Sequence, residues 1–159
     1  REALQSRIRV HPDFIIAVGQ PGIRKSLYEE GMAAEGQPYS CIAPSAVISR
    51  LAPQLGAGLN IMAHSFVSAS SSVGQGSLVN AGAYVMHDVE VGSFVELAPG
   101  AKLLGACTVG DFCRIGANAT ILPKVKLASG CEVVAGSVVD QDWPADSKLG
   151  GSPARLLNP

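Results

Sequence analysis

A six-residue hydrophobic period runs through most of the chain. From position 55 to position 139, every sixth residue is Leu, Ile or Val. The fifteen residues on this period are Leu55, Ile61, Val67, Val73, Val79, Val85, Val91, Leu97, Leu103, Val109, Ile115, Ile121, Leu127, Val133 and Val139. The position four residues later is Ser, Ala, Val or Cys in thirteen of fourteen cases. A small residue and an aliphatic residue therefore stand two apart, on the same side of a strand.

The four residues between strands are too few for a helix and suit a corner. One fixed place in the corners is occupied by residues that tolerate positive φ, namely Gly58, Gly76, Gly82, Asp88, Gly100, Asn118, Gly130 and Gly136. Three hexads make one 18-residue coil, and successive coils stack about 4.8 Å apart. The period thus predicts an all-β parallel solenoid with a triangular cross-section.

Composition agrees with a narrow interior. The 159 residues are 47% hydrophobic but only 5% aromatic, so the core is built from aliphatic and small side chains. Three of the four cysteines, Cys107, Cys113 and Cys131, fall on the small interior position, and we expect inert packing there. No CxxC spacing occurs, and no metal site is predicted. Free thiols indicate the cytoplasm.

Charge and hydropathy exclude two classes of partner. The formal net charge of −1 argues against nucleic acid, which needs a basic stripe. No apolar run approaches the ~18 residues of a membrane span, so no membrane partner is expected. The N-terminus does not have the pattern of a signal peptide, and the absence of an initial Met indicates a trimmed or incomplete chain.

The first forty residues depart from the repeat. Residues 13–19 are typical of a buried strand ending in a Gly turn, and residues 21–30 of a helix with Pro in its first turn, fading over 31–36. This segment is either an end cap for the solenoid or the remnant of a nucleotide-binding βαβ domain. We divide the chain into an α/β segment (1–40), the solenoid (41–142) and a C-terminal tail (143–159).

Of the three histidines, His87 is the candidate for chemistry. We expect His11 in an exposed loop and His64 at an exposed corner. His87 is followed by Asp88, and a carboxylate beside an imidazole holds the ring and stabilises its protonated form. One coil further along stands Gly105, about one strand spacing from His87, where a glycine leaves room for a ligand and offers its N–H to an oxyanion.

The repeat resembles the hexapeptide motif [LIV]-[GAED]-x-x-[STAV]-x of left-handed parallel β-helices over residues 42–139. Several segments are similar, more narrowly, to the bacterial sugar O- and N-acetyltransferases, which include sialic acid O-acetyltransferases and enzymes of the bacillosamine pathway. These segments are 14–19, 23–25, 78–88, 97–101, 115–123 and 149–155. The resemblance implies a left-handed β-helix, a homotrimer with active sites between neighbours, and acetyl-CoA as co-substrate.

The resemblance also implies roles for residues. His87 matches the base that takes a proton from a sugar amine or hydroxyl, Asp88 its acidic partner, and Gly105 the backbone donor to the thioester oxygen. Four further residues match the family's contacts to the pantetheine arm of CoA, namely Gly116, Ala117, Ala135 and Gly136. The resemblance further implies direct transfer, through a tetrahedral intermediate without an acyl-enzyme, in the synthesis of bacterial surface carbohydrates.

Two departures from the family pattern stand out. Glu96 occupies the place, near the acetyl group, where the family usually has a second histidine, and it counts here as a cofactor-binding candidate. The family's N-terminal Gly-rich nucleotide loop is absent from these residues. An alternative is therefore a catalytically silent trimeric scaffold or truncated paralogue. A zinc enzyme of the carbonic anhydrase type would need three spaced histidines, whereas the repeat holds only His64 and His87.

Overall fold

The hexads fold into two-residue β-strands, each of which ends in the periodic aliphatic residue. The computed structural model describes residues 7–8 and 10–157, and its solenoid has three parallel walls. Sheet 1 contains β3 (Cys41–Ile42), β6 (Asn60–Ile61), β9 (Leu78–Val79), β12 (Glu96–Leu97), β15 (Arg114–Ile115), β18 (Glu132–Val133), β20 (Lys148–Gly151) and β21 (Ala154–Leu156). Sheet 2 contains β4 (Val47–Ile48), β7 (Phe66–Val67), β10 (Tyr84–Val85), β13 (Lys102–Leu103), β16 (Thr120–Ile121) and β19 (Val138–Val139). Sheet 3 contains β5 (Gln54–Leu55), β8 (Ser72–Val73), β11 (Glu90–Val91), β14 (Thr108–Val109) and β17 (Lys126–Leu127).

The predicted 18-residue coil is the register of the sheets. Val85 pairs with Leu103, and Leu103 pairs with Ile121, so each aliphatic side chain stacks on the next. Fourteen of the fifteen periodic residues are buried, together with Cys107, Cys113 and Cys131 beside them. Leu55 is the exception because β5 is the end strand of sheet 3, and no strand of the described residues stacks beneath it.

The corners are tight turns with one residue of positive φ. All eight positions predicted for positive φ have it, with Asp88 at 59° and Asn118 at 55°. Many of these corners close with a hydrogen bond from the fourth residue to the first, as from the N–H of Ala119 to the carbonyl of Gly116 at 3.0 Å. Positive φ at the third residue with that bond describes a type II turn, in which the second N–H points outward.

The N-terminal segment contains β1 (Asp13–Phe14), α1 (Pro21–Ala33) and β2 (Gln37–Pro38), and β1 pairs with β2 in parallel. The prediction of a buried strand over 13–19 is wrong in length, because Ile15 is 52% exposed and pairing stops at Phe14. The partner β2 is only two residues long, so it supplies no ladder beyond that point. The helix is confirmed, and its end at Ala33 falls within the predicted range of 31–36.

This segment packs on the side of the solenoid. Its Phe14 and Tyr28 make an aromatic cluster with Phe94 and Phe112, two corner residues whose rings stack at 5.8 Å. Phe94 and Phe112 both have positive φ, which the sequence pattern did not indicate. The narrow solenoid has no room for these aromatic rings in its interior, and they join the N-terminal segment to the wall of the solenoid instead. The segment leaves Leu51, in the first coil, 70% exposed.

The C-terminal residues continue the stack. Trp143 forms a β-bridge with Leu127, and β20 pairs in parallel with β18 before turning into the antiparallel β21. Leu149 and Ala154 are buried at this end of the core. Residues of the predicted tail therefore add two strands to sheet 1.

Candidate active site

His87 and Asp88 lie in a corner between sheets 2 and 3. We call residues 86–89 and 104–107, which stack on each other, the His87 corner. Asp88 takes the position of positive φ, which an Asp tolerates better than most residues. This conformation brings its Oδ2 to 2.9 Å from Nδ1 of the His87 ring. Both side chains are exposed, so a ligand can reach the imidazole.

Gly105 stands next to the His87 ring, as the coil arithmetic predicts. The N–H of Ala106 donates to the carbonyl of His87 at 3.0 Å, which ties the two turns together. A Cβ placed on Gly105 would lie 2.6 Å from Cε1 and 2.7 Å from Nε2 of the imidazole. Gly105 is the second residue of its turn, and its N–H meets no acceptor in the described chain.

This arrangement is suited to base catalysis. A Nδ1–H that donates to Asp88 leaves the lone pair of His87 on Nε2, the nitrogen on the side of Gly105. The ring can then accept a proton there while the carboxylate stabilises the resulting cation. An N–H close to Nε2 that has no acceptor among the described residues can donate to a neighbouring oxygen and stabilise the negative charge that develops on it.

The other predicted residues lie in a corner between sheets 1 and 2. We call residues 116–119 and 134–137 the Gly116 corner. Ala117 and Ala135 are the second residues of their turns, and neither N–H has an acceptor within the part of the chain described. Gly116 allows close stacking, since a Cβ there would lie 2.5 Å from the backbone nitrogen of Ala135, whereas Gly136 faces open space.

The two corners lie at opposite edges of sheet 2. The His87 corner follows the strands of sheet 2, and the Gly116 corner precedes them. One protomer therefore brings His87, Asp88 and Gly105 together, and separately groups Gly116, Ala117, Ala135 and Gly136. It does not bring the two groups into contact.

Glu96 is engaged by a residue that the sequence analysis missed. Its Oε2 accepts a hydrogen bond from Nε of Arg114 at 3.3 Å, and its side chain is 17% exposed. Arg114 also donates from Nη1 to Oε1 of Glu132 at 3.2 Å. The signal was available, since 96, 114 and 132 are one coil apart, the same spacing that relates His87 to Gly105.

Comparisons with known proteins show the family of the fold. Residues 106–141 match the family of bacterial transferase hexapeptide (six repeats) proteins. The structure resembles PerB from Caulobacter crescentus in complex with CoA and GDP-perosamine, with a TM-score of 0.96 and 30% identity over 99% of this chain and 76% of that one. It also resembles the acetyltransferase domain of PglB from Neisseria gonorrhoeae, with a TM-score of 0.89 and 34% identity over 91% of this chain and 70% of that one.

The chain belongs to the hexapeptide-repeat sugar acetyltransferases. It is therefore an acyltransferase, and the predicted left-handed parallel β-helix with a small N-terminal α/β segment is confirmed. WeeI from Acinetobacter baumannii is similar at 27% identity over 91% of this chain and 70% of that one, with a TM-score of 0.87. No curated protein matches the chain significantly by sequence.

A buried arginine joins the N-terminal segment of this acetyltransferase to the wall that carries Glu96. Arg24, in α1, is 1% exposed and donates to the carbonyls of Val18 at 2.9 Å, Val95 at 3.2 Å and Phe94 at 3.3 Å. Burial lowers the pKa of its guanidinium from the ordinary value, and the nearby Glu96 carboxylate opposes that shift. The carboxylate of Glu96 thus stands between two cations.

Two cavities adjoin sheet 1 of this acetyltransferase. One, of ≈ 240 Å³, runs beside the Gly116 corner and is lined by Glu96, Arg114, Glu132, Gly116 and Ala135 among others. The other, of ≈ 390 Å³, separates residues 16–19 of the N-terminal segment from the first coils. It is lined mainly by apolar side chains and by Asn60, whose Nδ2 donates to the carbonyl of Ile16 at 2.7 Å.

His11 and His64 lie outside both corners. Both are exposed, and His64 occupies a corner position with φ of 57°. Residues 7–8 and 10–157 hold no group of three or more His, Cys, Asp or Glu side chains that could bind a metal ion. Over the same residues, no helix has the length and apolarity needed to cross a membrane.

Proposed function

We propose that this enzyme transfers the acetyl group of acetyl-CoA to an amino or hydroxyl group of a nucleotide-linked sugar, with His87 as the general base. The proposal rests on the surroundings of the His87 ring. Its Nδ1 is 2.9 Å from Asp88 Oδ2, and its Nε2 is on the side of Gly105, whose N–H is unpaired. A base, its orienting carboxylate and an oxyanion donor thus stand within one corner.

The proposed steps balance without a covalent enzyme intermediate. Nε2 of His87 accepts the proton of the acceptor amine or hydroxyl as the nitrogen or oxygen of that group attacks the thioester carbonyl carbon. The N–H of Gly105 donates to the carbonyl oxygen as it gains negative charge, and Asp88 stabilises the imidazolium. The carbon–sulfur bond then breaks, and the imidazolium gives its proton to the departing CoA thiolate, so that the products are the acetylated sugar and CoA.

The Gly116 corner suits the arm of CoA. The pantetheine arm carries amide groups, and the unpaired N–H groups of Ala117 and Ala135 offer donors one coil apart beside the ≈ 240 Å³ cavity. Side chains at positions 117 and 135 are single methyl groups, so an extended arm can approach the backbone closely. PerB in complex with CoA and the PglB domain in complex with acetyl coenzyme A support the same co-substrate.

The ≈ 390 Å³ cavity is our candidate for the acceptor. Its volume falls in the range of small-molecule sites, about 300–1,000 Å³. It opens on sheet 1 towards the N-terminal coils, whereas the Gly116 corner lies towards the C-terminal coils. Acceptor and donor would then approach Glu96 from opposite directions. The complex of PerB with GDP-perosamine supports a nucleotide sugar.

We propose further that the active enzyme is a homotrimer. A site that uses both corners needs a second copy, because the two corners lie at opposite edges of sheet 2. The outward-facing row of sheet 2 is more apolar than those of sheets 1 and 3, although it includes Lys102 and Thr120. Its other four residues are Val47, Phe66, Tyr84 and Val138, and Val47 and Tyr84 are 56% and 41% exposed. We place the enzyme in the cytoplasm, where its four free thiols stay reduced.

The test measures CoA release from acetyl-CoA with a panel of UDP- and GDP-linked amino sugars and with sialic acid. With the accepted sugar, His87→Ala should lower kcat by about 10²–10⁴-fold, the usual contribution of a general base. His11→Ala is the matched control, because His11 is exposed and outside both corners, and it should keep wild-type activity. Product mass and connectivity distinguish N- from O-acetylation.

Two results would contradict the proposal. Undiminished transfer by His87→Ala would exclude His87 as the base. A wild-type enzyme that binds neither CoA nor acetyl-CoA would favour the catalytically silent scaffold.

A further inference from the structure

Sheet 1 carries a row of alternating charges on its outer surface. Glu96 pairs in register with Arg114, Arg114 with Glu132, and Glu132 with Lys148. The side chains connect, with Arg114 Nε at 3.3 Å from Glu96, Arg114 Nη1 at 3.2 Å from Glu132, and Lys148 Nζ at 3.8 Å from Glu132. The row borders the ≈ 240 Å³ cavity on one side.

Arg114 is the member of this row that can still bind a ligand strongly. Two carboxylates, one from each neighbouring coil, accept from Nε and Nη1, and Nη2 has no acceptor in the described part of the chain. The side chain is 50% exposed, so the free edge of the guanidinium is accessible. A planar group held at two of its nitrogens loses little freedom when the third donates.

Glu96 is poorly suited to contact a carbonyl oxygen by itself. An ionised carboxylate only accepts hydrogen bonds. Glu96 already accepts one from Arg114 and also stands near the buried Arg24. A carboxylate in this place would repel rather than stabilise the carbonyl oxygen of a thioester, because both oxygens carry negative charge.

The position of the Glu96–Arg114 contact along the solenoid axis can be compared with that of Gly105. Positions 96 and 114 are nine residues before and nine residues after position 105, which is half a coil on either side. Copies related by a threefold axis parallel to the solenoid stand at equal heights. In the homotrimer proposed above, with its threefold axis parallel to the solenoid, the Glu96–Arg114 contact of one copy would lie level with the Gly105 N–H of the next copy.

We propose that Arg114 is a specificity-determining residue that donates from Nη2 to the acyl carbonyl oxygen, opposite Gly105 of the neighbouring copy. Glu96 and Glu132 are positioning residues that hold its guanidinium. This inference rests on the proposed function, since it needs acetyl-CoA in the groove between copies. It replaces a direct role of Glu96 in binding the acyl group with an indirect one.

The experiment compares the Kd of acetyl-CoA with the Kd of CoA, by titration calorimetry on the whole enzyme. CoA lacks the acyl carbonyl, so a charge-assisted hydrogen bond to that oxygen affects acetyl-CoA alone. Arg114→Leu should raise the Kd of acetyl-CoA by a factor at least ten times larger than the factor by which it raises the Kd of CoA. Lys126→Met, which removes an exposed cation from sheet 3, is the matched control and should leave the ratio of the two Kd values unchanged.

A rescue variant separates donation from structure. In the Arg114→Leu background, Glu96→His introduces a side chain that can donate, and it should recover at least part of the lost preference for acetyl-CoA. If Arg114→Leu raises the Kd of CoA and the Kd of acetyl-CoA by the same factor, or changes neither, the inference is overturned while the proposed function stands. Wild-type enzyme that binds neither ligand would instead overturn the proposed function, and this inference with it.

Discussion

Gly105 lies against the imidazole of His87, so that a Cβ at position 105 would stand 2.6 Å from the ring atom Cε1. The glycine is required by this neighbour and not by its own backbone, since the positive φ of that turn belongs to Ala106, at 59°. Gly105 thus provides both the space for the His87 ring and an N–H that points outward.

Gly105→Ala should impair catalysis without unfolding the protein. The added methyl displaces the exposed His87 ring and not the backbone, so we expect kcat to fall at least tenfold while the midpoint of urea unfolding changes little. Transfer assays and urea titrations measure the two effects. Gly22→Ala, which fills open space in α1, is the control. Wild-type kcat in Gly105→Ala would show that the ring position is unimportant.

The two glycines of the Gly116 corner should differ in what they contribute to stability. A Cβ at position 116 would lie 2.5 Å from the nitrogen of Ala135, where rigid backbone cannot move aside. Gly116→Ala should therefore lower the free energy of unfolding by about 3 kcal/mol. Gly136→Ala faces open space but keeps φ at 71°, and should cost about 1 kcal/mol. Urea unfolding compares them, and a reversed order would contradict this account.

Arg24→Met should loosen the N-terminal segment from the solenoid. The substitution leaves the carbonyls of Val18, Phe94 and Val95 without their buried donor, which we expect to cost about 3 kcal/mol. The neighbouring Lys25→Met removes an exposed ion pair with Glu29 and the contact of the ammonium with the Phe112 ring at 5.7 Å, and should cost about 1 kcal/mol. Chemical denaturation gives both values. Equal small losses would mean that the buried arginine does not hold the segment.

Alkaline pH should destabilise the protein through the buried thiol of Cys107. Burial raises the pKa of the Cys107 thiol to about 12, above the ordinary value of 9.0. Between these values the unfolded chain loses the proton and the folded chain keeps it, so the free energy of unfolding falls with rising pH. The loss from this group is up to about 1.4 kcal/mol per pH unit.

Cys107→Ala isolates this contribution. The variant should show a shallower loss of unfolding free energy between pH 9 and pH 11 than the wild type, because one buried acid is gone. Unfolding curves at several pH values measure the slopes. Identical slopes would contradict a raised pKa for Cys107.

The same 18-residue spacing explains what sequence reasoning could and could not find. It placed Gly105 beside His87 because the repeat sets the register, and the register is the same in every coil. The pairing of Glu96 with Arg114 follows from that register too, yet it depends on how two long side chains bend. The position of Arg24 is of another kind, because no periodicity relates α1 to the corner at Phe94.

The sequence by itself determined the solenoid, its coil length, its buried residues and the one corner where a histidine meets a carboxylate. These follow from a strict period, since each side chain in a repeat sees the same neighbours one coil away. Only the tertiary structure decided that the N-terminal segment packs on the wall and that Arg114 and not solvent engages Glu96. The first contact joins parts of the chain that share no repeat, so packing alone selects it. The second joins neighbouring coils, but it depends on how two long side chains bend.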